Sequence, residues 1–207
     1  MKTTVLLLYT DWDEVLKMGF RFRYVKDYFS QRHIKNVLLW IVEIVAVLGI
    51  AAVCAFFFCQ TAVMHEGSME PTVSAGEKLL INKASYILGS PKRGDIILFR
   101  SSEDEKASLH IKRVIGLPKE TVQIVDGQIL IDGVTYIEQK DFPAIVDAGL
   151  AEKQITLGAN EYFVLGDNRN NSEDSRHAEM GMVKKQNIIG KLWFVISPAS
   201  EMGFLDK

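Results

Sequence analysis

The chain has 207 residues, enough for one ordinary domain with attached segments. Its 24 Lys and Arg residues nearly balance its 26 Asp and Glu residues, so nothing in the charge indicates a nucleic-acid partner. The four His and two Cys residues lack the spacing of metal ligands, and we expect neither a metal nor another cofactor. Both cysteines, Cys54 and Cys59, lie in the most apolar segment, so the chain beyond them has no disulfide and no thiol nucleophile.

Residues 1–36 are rich in basic and aromatic side chains. Between Lys17 and Asn36 there are six Lys and Arg residues and a single acid, Asp27. Aromatic residues such as Trp12 and Tyr24 accompany them, a composition typical of a helix that lies along a membrane surface. A solvated, positively charged tail has the same composition, so both interpretations stay open.

Residues 37–64 are predicted to form a transmembrane anchor helix. From Ile44 to Met64 the chain has 21 residues without a formal charge. A helix of that length spans about 30 Å, the thickness of a bilayer core. The run is too long for a cleaved signal peptide, and no small-residue cleavage pattern follows it. Glu43 precedes the run and is expected at the headgroup level.

The charges that flank the anchor predict its orientation. Basic residues precede it, whereas the next twenty residues contain two Lys and three Glu. The positive-inside rule then leaves residues 1–36 in the cytoplasm and residues 65–207 outside the plasma membrane, with a single span between them.

The region after residue 76 consists of short β-branched and aromatic runs separated by turn residues. Asp126-Gly127 and Asp132-Gly133 are dipeptides that close hairpins. We therefore predict a mainly β protein, an antiparallel β-barrel or β-sandwich preceded by one N-terminal transmembrane helix. The predicted strands are 78–82, 95–100, 110–115, 121–125, 128–131, 162–165 and 191–196.

Two loop-like segments place reactive side chains among turn-forming residues. The first, residues 65–72, contains Ser68 between Gly67 and a Met-Glu-Pro-Thr sequence. The second, residues 165–176, is dense in Asp, Asn and Ser, which fold loops by bonding their own backbone. In the second segment Asp174 and Arg176 are close enough in sequence to form an ion pair.

A third segment, residues 110–118, places charged side chains within an apolar strand. Alternation puts His110 and Lys112 on one face and Arg113 on the other. Because at least one face is partly buried, either Lys112 or Arg113 meets unusual surroundings. The sequence alone leaves open which one it is, and a lysine that extends its amine to solvent is the commoner case.

Together these segments resemble the type I signal peptidase family in its compact bacterial form. The resemblance covers residues from about 37 to 198. It rests on the helix, on Gly-Ser-Met-x-Pro-Thr at 67–72, on Pro-Lys-Arg-Gly-Asp at 91–95, on Lys-Arg-Val-Ile-Gly-Leu-Pro at 112–118 and on Gly-Asp-Asn-x-x-x-Ser-x-Asp-Ser-Arg at 166–176. It implies a membrane-bound serine endopeptidase whose substrates are the signal peptides of exported preproteins.

The resemblance also implies a role for each matching residue. Ser68 is the nucleophile, and its backbone N–H is an oxyanion donor. Lys112 is the general base, which requires that burial lower its pKa from an ordinary value of about 10.4. Ser172 is expected to hydrogen-bond and orient the lysine, while Asp174 and Arg176 hold the shape of the site through an ion pair.

One position departs from the pattern. Some family members have a serine two residues before the nucleophile, which supplies a second oxyanion donor. Here that residue is Glu66, whose carboxylate would repel an oxyanion. A second side-chain donor is therefore not expected at this position.

Two other functions are compatible with parts of the sequence. A self-cleaving Ser-Lys protease would share the catalytic pair, but the anchor and the 166–176 motif disfavour it. A single-pass membrane protein with a non-catalytic β binding domain would leave the three motifs unexplained. A histidine base at His110 is disfavoured because the matching position is Lys112.

Overall fold

A computed structural model of the protein describes residues 31–87, 89–102, 104 and 107–205, with the backbone alone for residues 31–33, 54, 56 and 57. The chain divides into two compact units between Val53 and Cys54. The surface helix or solvated tail predicted for the N-terminal segment falls mostly in residues 1–30, which lie outside the described residues.

The described part of the first unit belongs to helix α1, Gln31–Phe58. Within it, Ile34–Val53 forms a 20-residue stretch with a mean hydropathy of 2.4, and none of this stretch is buried. A helix that exposes apolar side chains all round is of the kind that spans a bilayer. Glu43 is the tenth residue of that stretch, so its predicted position at the headgroup level stays a prediction.

The helix ends six residues before the predicted boundary at Met64. From Cys59 the backbone leaves the helix and forms strand β1, Cys59–Val63, which pairs antiparallel with the strand Lys78–Asn82. The helix ends early because Thr61 and Val63 are β-branched, which favours a strand, and because β2 is available to pair with them. An uncharged run therefore continues past the helix into the sheet.

The second unit is built from antiparallel strands, as predicted. After β1 the strands are β2 (Lys78–Asn82), β3 (Ile96–Arg100), β4 (Leu109–Gly116), β5 (Thr121–Val125), β6 (Gln128–Ile131), β7 (Val134–Thr135), β8 (Ile155–Thr156), β9 (Glu161–Leu165), β10 (Val183–Lys184), β11 (Ile188–Ser197) and β12 (Gly203–Phe204). All seven predicted strands are present. Among the strands not predicted, β7, β8, β10 and β12 have two residues each, too few to show an alternating pattern.

The strands form two sheets in a sandwich-like arrangement and do not close into a barrel. The larger sheet has the order β1-β2-β11-β3-β4-β9-β10, with β12 paired to β11. The smaller sheet has the order β7-β6-β5-β8. The two hairpins β5–β6 and β6–β7 close through Asp126-Gly127 and Asp132-Gly133, and all four residues have positive φ, as the predicted turns require.

Three clusters of buried side chains hold this unit together. One joins the smaller sheet to β4 and β9 through residues that include Val122, Ile115 and Phe163. Another lies on the opposite face of β4 and β9 and includes Val114 and Val164. Strand β4 is therefore covered on both faces, which explains why its charged side chains are buried as well.

Candidate active site

The nucleophile candidate Ser68 lies in a short 3-10 turn, Gly67–Met69, between β1 and β2. Its side chain is almost completely buried. The turn is attached to the polar loop 165–176 by Asn168, whose backbone N–H donates to the Ser68 carbonyl oxygen at 3.0 Å. The Asn168 side-chain amide donates to the Gly67 carbonyl oxygen at 3.1 Å. Two predicted motifs about 100 residues apart in the sequence thus meet at the serine.

Lys112 lies in the middle of β4, and its side chain points at the serine. The distance from Lys112 Nζ to Ser68 Oγ is 2.6 Å, a buried hydrogen bond. None of the Lys112 residue is exposed to solvent. Burial lowers the pKa of the Lys112 amine, because the charged form loses its hydration, while the nearby carboxylate of Glu66 opposes this shift.

The neighbouring Arg113 is also buried, so the choice between Lys112 and Arg113 that the alternation posed does not arise. On the opposite face of the strand, Arg113 Nε and Nη2 donate to the two carboxylate oxygens of Asp167 at 2.7 and 2.6 Å. The remaining Nη1 donates to the Gly94 carbonyl oxygen at 2.9 Å. The Arg113–Asp167 pair therefore connects β4 to the polar loop 165–176, on the face of the strand opposite to Lys112.

Glu66 contacts both members of the candidate catalytic pair. The Ser68 hydroxyl lies 3.3 Å from Glu66 Oε2, and Lys112 Nζ lies 3.4 Å from the same oxygen. The Glu66 side chain is 51% exposed, whereas that of Lys112 is fully buried. From the sequence, Glu66 was expected only to affect the oxyanion; its contact with the base is found only in the structure.

The loop 165–176 forms a tightly bonded frame beside the pair. Arg176 Nε and Nη2 each donate to one carboxylate oxygen of Asp174 at 2.8 Å, so the predicted ion pair is formed. Asp174 also accepts from the backbone N–H of Gly166 at 3.1 Å. Arg176 Nη1 donates to the Asp147 carbonyl oxygen at 3.0 Å, which links the frame to the chain before β8.

Ser172 lies against Gly166, and its placement differs from the expected one. The resemblance implies a hydrogen bond from Ser172 to Lys112, but the buried Ser172 Oγ has no hydrogen-bond partner among the described residues. A side chain at Gly166 would collide with Ser172 Oγ and would place its Cβ 2.5 Å from the Ser68 carbonyl oxygen. Glycine at 166 is therefore what allows Ser172 and the serine turn to come this close.

The frame contains a second buried cation, Arg169, which the sequence did not indicate. Both terminal nitrogens of Arg169 donate to the carboxylate of Glu138, and its guanidinium lies 4.2 Å from the ring centroid of Phe142. Arg113 lies over the same ring at 5.5 Å. Glu138 and Phe142 belong to an irregular segment without a motif, so no local signal pointed to them.

Two concave regions adjoin the pair. A cleft of about 610 Å³ opens in front of Ser68 and Ser172. A narrower groove of about 120 Å³ is lined by residues 60–66 and residues 109–111, together with Leu98. Both sides of the groove have unpaired strand edges among the described strands, because β1 pairs only with β2 and β4 pairs with β9 only from Arg113 onward.

The sequence that forms this site is similar to that of known proteins. The family model described as signal peptidase, peptidase S26, matches residues 37–197. Signal peptidase I of Leptolyngbya laminosa is 36% identical over 175 residues, which cover 80% of this chain and 84% of that protein. Signal peptidase I T of Bacillus subtilis is 32% identical over 181 residues, which cover 84% of this chain and 92% of that protein.

Among solved structures, the chain is similar to a signal peptidase I from Enterococcus faecalis. The two are 34% identical, with a TM-score of 0.39, and the match covers 50% of this chain and 97% of that chain. The family match spans well over half of the sequence and includes the serine turn, strand β4 and the polar loop. The chain therefore belongs to the signal peptidase family, peptidase S26, and is a serine endopeptidase of that family.

Proposed function

We propose that this protein is a membrane-bound signal peptidase that uses Ser68 and Lys112 as a catalytic dyad to remove N-terminal signal peptides from exported preproteins. The observation that carries the proposal is the 2.6 Å contact between Lys112 Nζ and Ser68 Oγ, made by a lysine with no exposed surface. Serine is a weak nucleophile until a base takes its proton, and a buried amine can be that base at a moderate pH.

The first half of the proposed reaction acylates Ser68. The hydroxyl gives its proton to the neutral Lys112 amine while Oγ attacks the carbonyl carbon of the scissile bond, and the carbonyl electrons move to oxygen. The backbone N–H of Ser68 is the proposed donor to that oxyanion. The Lys112 ammonium then gives its proton to the leaving nitrogen, the C–N bond breaks and the mature protein leaves with a new N-terminus.

The second half releases the signal peptide. Water attacks the ester carbonyl and gives a proton to the Lys112 amine. Collapse of the tetrahedral intermediate breaks the bond to Ser68 Oγ, which recovers its proton from the ammonium. The signal peptide leaves as a carboxylic acid that loses its remaining proton to solvent, and both side chains return to their starting forms. Ser68 and Lys112 are the catalytic residues in this scheme.

The groove beside the pair supports an extended substrate. An extended peptide laid between residues 60–66 and 109–111 would pair with the open edges of β1 and β4 and add a strand to the sheet. Such a strand would run past Ser68, because the β1 side of the groove continues into the turn that carries it. Backbone pairing would hold the scissile bond with little dependence on sequence.

The anchor and its flanking charges support cleavage at the outer surface of the plasma membrane. The basic segment before the helix favours a cytoplasmic N-terminus, which leaves the second unit outside. The nine steps along the chain from Cys59 to Ser68 reach at most about 30 Å when fully extended. We therefore infer that Ser68 works close to the surface at which a preprotein emerges from the bilayer.

Cleavage of a preprotein by the full chain in detergent micelles tests the dyad. Wild type is compared with Ser68→Ala, Lys112→Met and Lys112→Arg, since arginine keeps the charge but does not give up its proton. All three variants should lose at least about 10³-fold in kcat/KM. Cleavage by Lys112→Met at the wild-type rate would overturn the dyad. Fragmentation of the chain itself in place of the preprotein would favour the self-cleaving alternative.

A further inference from the structure

The carboxylate of Glu66 occupies a position next to the proposed dyad that the reaction scheme does not use. Its Oε2 lies 3.3 Å from Ser68 Oγ and 3.4 Å from Lys112 Nζ, so it contacts the nucleophile and the base at once. The side chain is half exposed and enters from the serine turn. A side chain with such freedom can move away without disturbing the buried frame.

The hydrogen bonds of this cluster run in the direction opposite to that needed for catalysis. As arranged, the Lys112 amine donates to Ser68 Oγ and the Ser68 hydroxyl donates to Glu66 Oε2. The attack on a substrate requires the hydroxyl to donate to the amine. The carboxylate is an acceptor for both side chains, and it therefore favours an ammonium at Lys112 and a hydroxyl directed away from the base.

Few other charges compete with Glu66 at Lys112. Asp174 and Glu173 act on the amine through space, and Asp174 is paired with Arg176. His110 faces the other oxygen of Glu66, with Nδ1 3.8 Å from Oε1, and burial lowers the pKa of this imidazole. The imidazole is therefore neutral at neutral pH and does not cancel the Glu66 charge.

We infer that Glu66 is a positioning residue that restrains the Ser68–Lys112 pair in the absence of substrate, and that the pair becomes active when the carboxylate is displaced or neutralised. This inference rests on the proposed function. It adds that the reacting carbonyl, which must approach Ser68 Oγ to about 3–3.5 Å, has to compete with a carboxylate already at that distance. The oxyanion would also form beside a negative charge.

The test is the pH profile of kcat/KM for preprotein cleavage by the full chain, measured for wild type and Glu66→Gln. The amide keeps the size of the side chain and removes its charge, so the acid limb should move to lower pH. On that limb the variant should be about twofold to fivefold faster than wild type, the range expected for a half-exposed ion pair. Glu70→Gln, an exposed acid in the same turn, should leave the limb in place, and Glu173→Gln should move it less than Glu66→Gln.

An acid limb at the same pH in wild type and Glu66→Gln would overturn the inference, and so would a loss of activity at every pH. If Glu66→Gln fails to fold, Glu66→Asp serves instead. It keeps the charge but withdraws it by one methylene, and it should shift the limb in the same direction by a smaller amount; an unmoved limb there would likewise overturn the inference. Failure of the dyad itself has a different signature, namely cleavage by Lys112→Met, so the two proposals fail separately.

Discussion

Asn168 fixes the backbone of Ser68 through two hydrogen bonds. Its backbone N–H donates to the Ser68 carbonyl oxygen at 3.0 Å, and its side-chain amide donates to the carbonyl oxygen of the preceding Gly67 at 3.1 Å. The backbone hydrogen bonds within the serine turn are short-range: Glu70 N–H donates to the Gly67 carbonyl oxygen, and the N–H groups of Thr72 and Val73 donate to the Met69 carbonyl oxygen. The position of the nucleophile thus depends on a residue about 100 positions further along the chain.

Asn168→Ala should slow catalysis more than it destabilises the fold. The substitution removes the side-chain hydrogen bond to Gly67 and keeps the backbone bond to Ser68, so the turn gains freedom. We expect a fall in kcat of about tenfold to 100-fold and a loss in the free energy of unfolding of about 1 kcal/mol. Steady-state kinetics and urea unfolding measure the two effects.

Asn170→Ala is the matched control, because the Asn170 side chain bonds Ala144 and Val146 rather than the serine turn. It should cost a similar amount of stability and much less activity. Equal losses of kcat in the two variants would show that Asn168 acts through the loop as a whole and not on the nucleophile.

Gly166→Ala should lower kcat by at least about 100-fold. The new Cβ would collide with Ser172 Oγ and lie 2.5 Å from the Ser68 carbonyl oxygen, and carbon atoms do not approach an oxygen so closely without displacing it. The serine turn has to shift, and displacements of about 1 Å cost about 100-fold in rate. Gly203→Ala, where a Cβ would meet nothing within 4 Å, should retain wild-type kcat. Full activity in Gly166→Ala would contradict this account of the close contact.

Asp167→Asn should destabilise the protein by about 3–5 kcal/mol, because it leaves the buried Arg113 guanidinium without its carboxylate. The partly exposed pair Arg93–Glu120 provides the comparison: both side chains are about one fifth exposed, and Glu120→Gln should cost less, about 1 kcal/mol. Chemical denaturation of the two variants at neutral pH measures the difference. Similar midpoints would show that the buried pair contributes no more than the partly exposed one.

The buried amine also predicts a pH dependence of stability. Burial lowers the pKa of Lys112 in the folded protein below its ordinary value of 10.5, so between the two values the unfolded chain binds more protons than the folded one. The free energy of unfolding should therefore rise with pH across that window, and the cost of the charged amine is fully present below the folded-state pKa. Lys112→Met should lack this component of the slope. Parallel stability profiles for wild type and Lys112→Met would contradict a lowered pKa.

The sequence predicted which residues meet at the site better than it predicted their surroundings. The serine, lysine and polar-loop motifs resemble one family, and the structure brings Ser68, Lys112 and Asp174 into one region because β4 lies between β3 and the strand that leads into the polar loop. Alternation along β4 could not tell which of Lys112 and Arg113 is buried. The pattern assumes that one face of the strand is exposed, whereas both faces of this strand are covered.

The remaining features depend on contacts between distant segments, which local patterns do not encode. The end of the helix at Phe58 is determined by the pairing of β1 with β2, because the apolar composition itself continues to Met64. Glu138 bonds Arg169 from an irregular segment, and Glu66 reaches a lysine 46 residues away. The helix end and both of these contacts could be recognised only once the fold was known.

The rate of acylation of Ser68 as a function of pH tests the dyad most directly. In a single-turnover experiment with the full chain and a preprotein, the rate should rise with pH along a limb below 10.5, as the Lys112 amine loses its proton. Lys112→Met should show no acylation at any pH. Acylation of Ser68 in Lys112→Met with the wild-type rate and pH dependence would contradict the central claim.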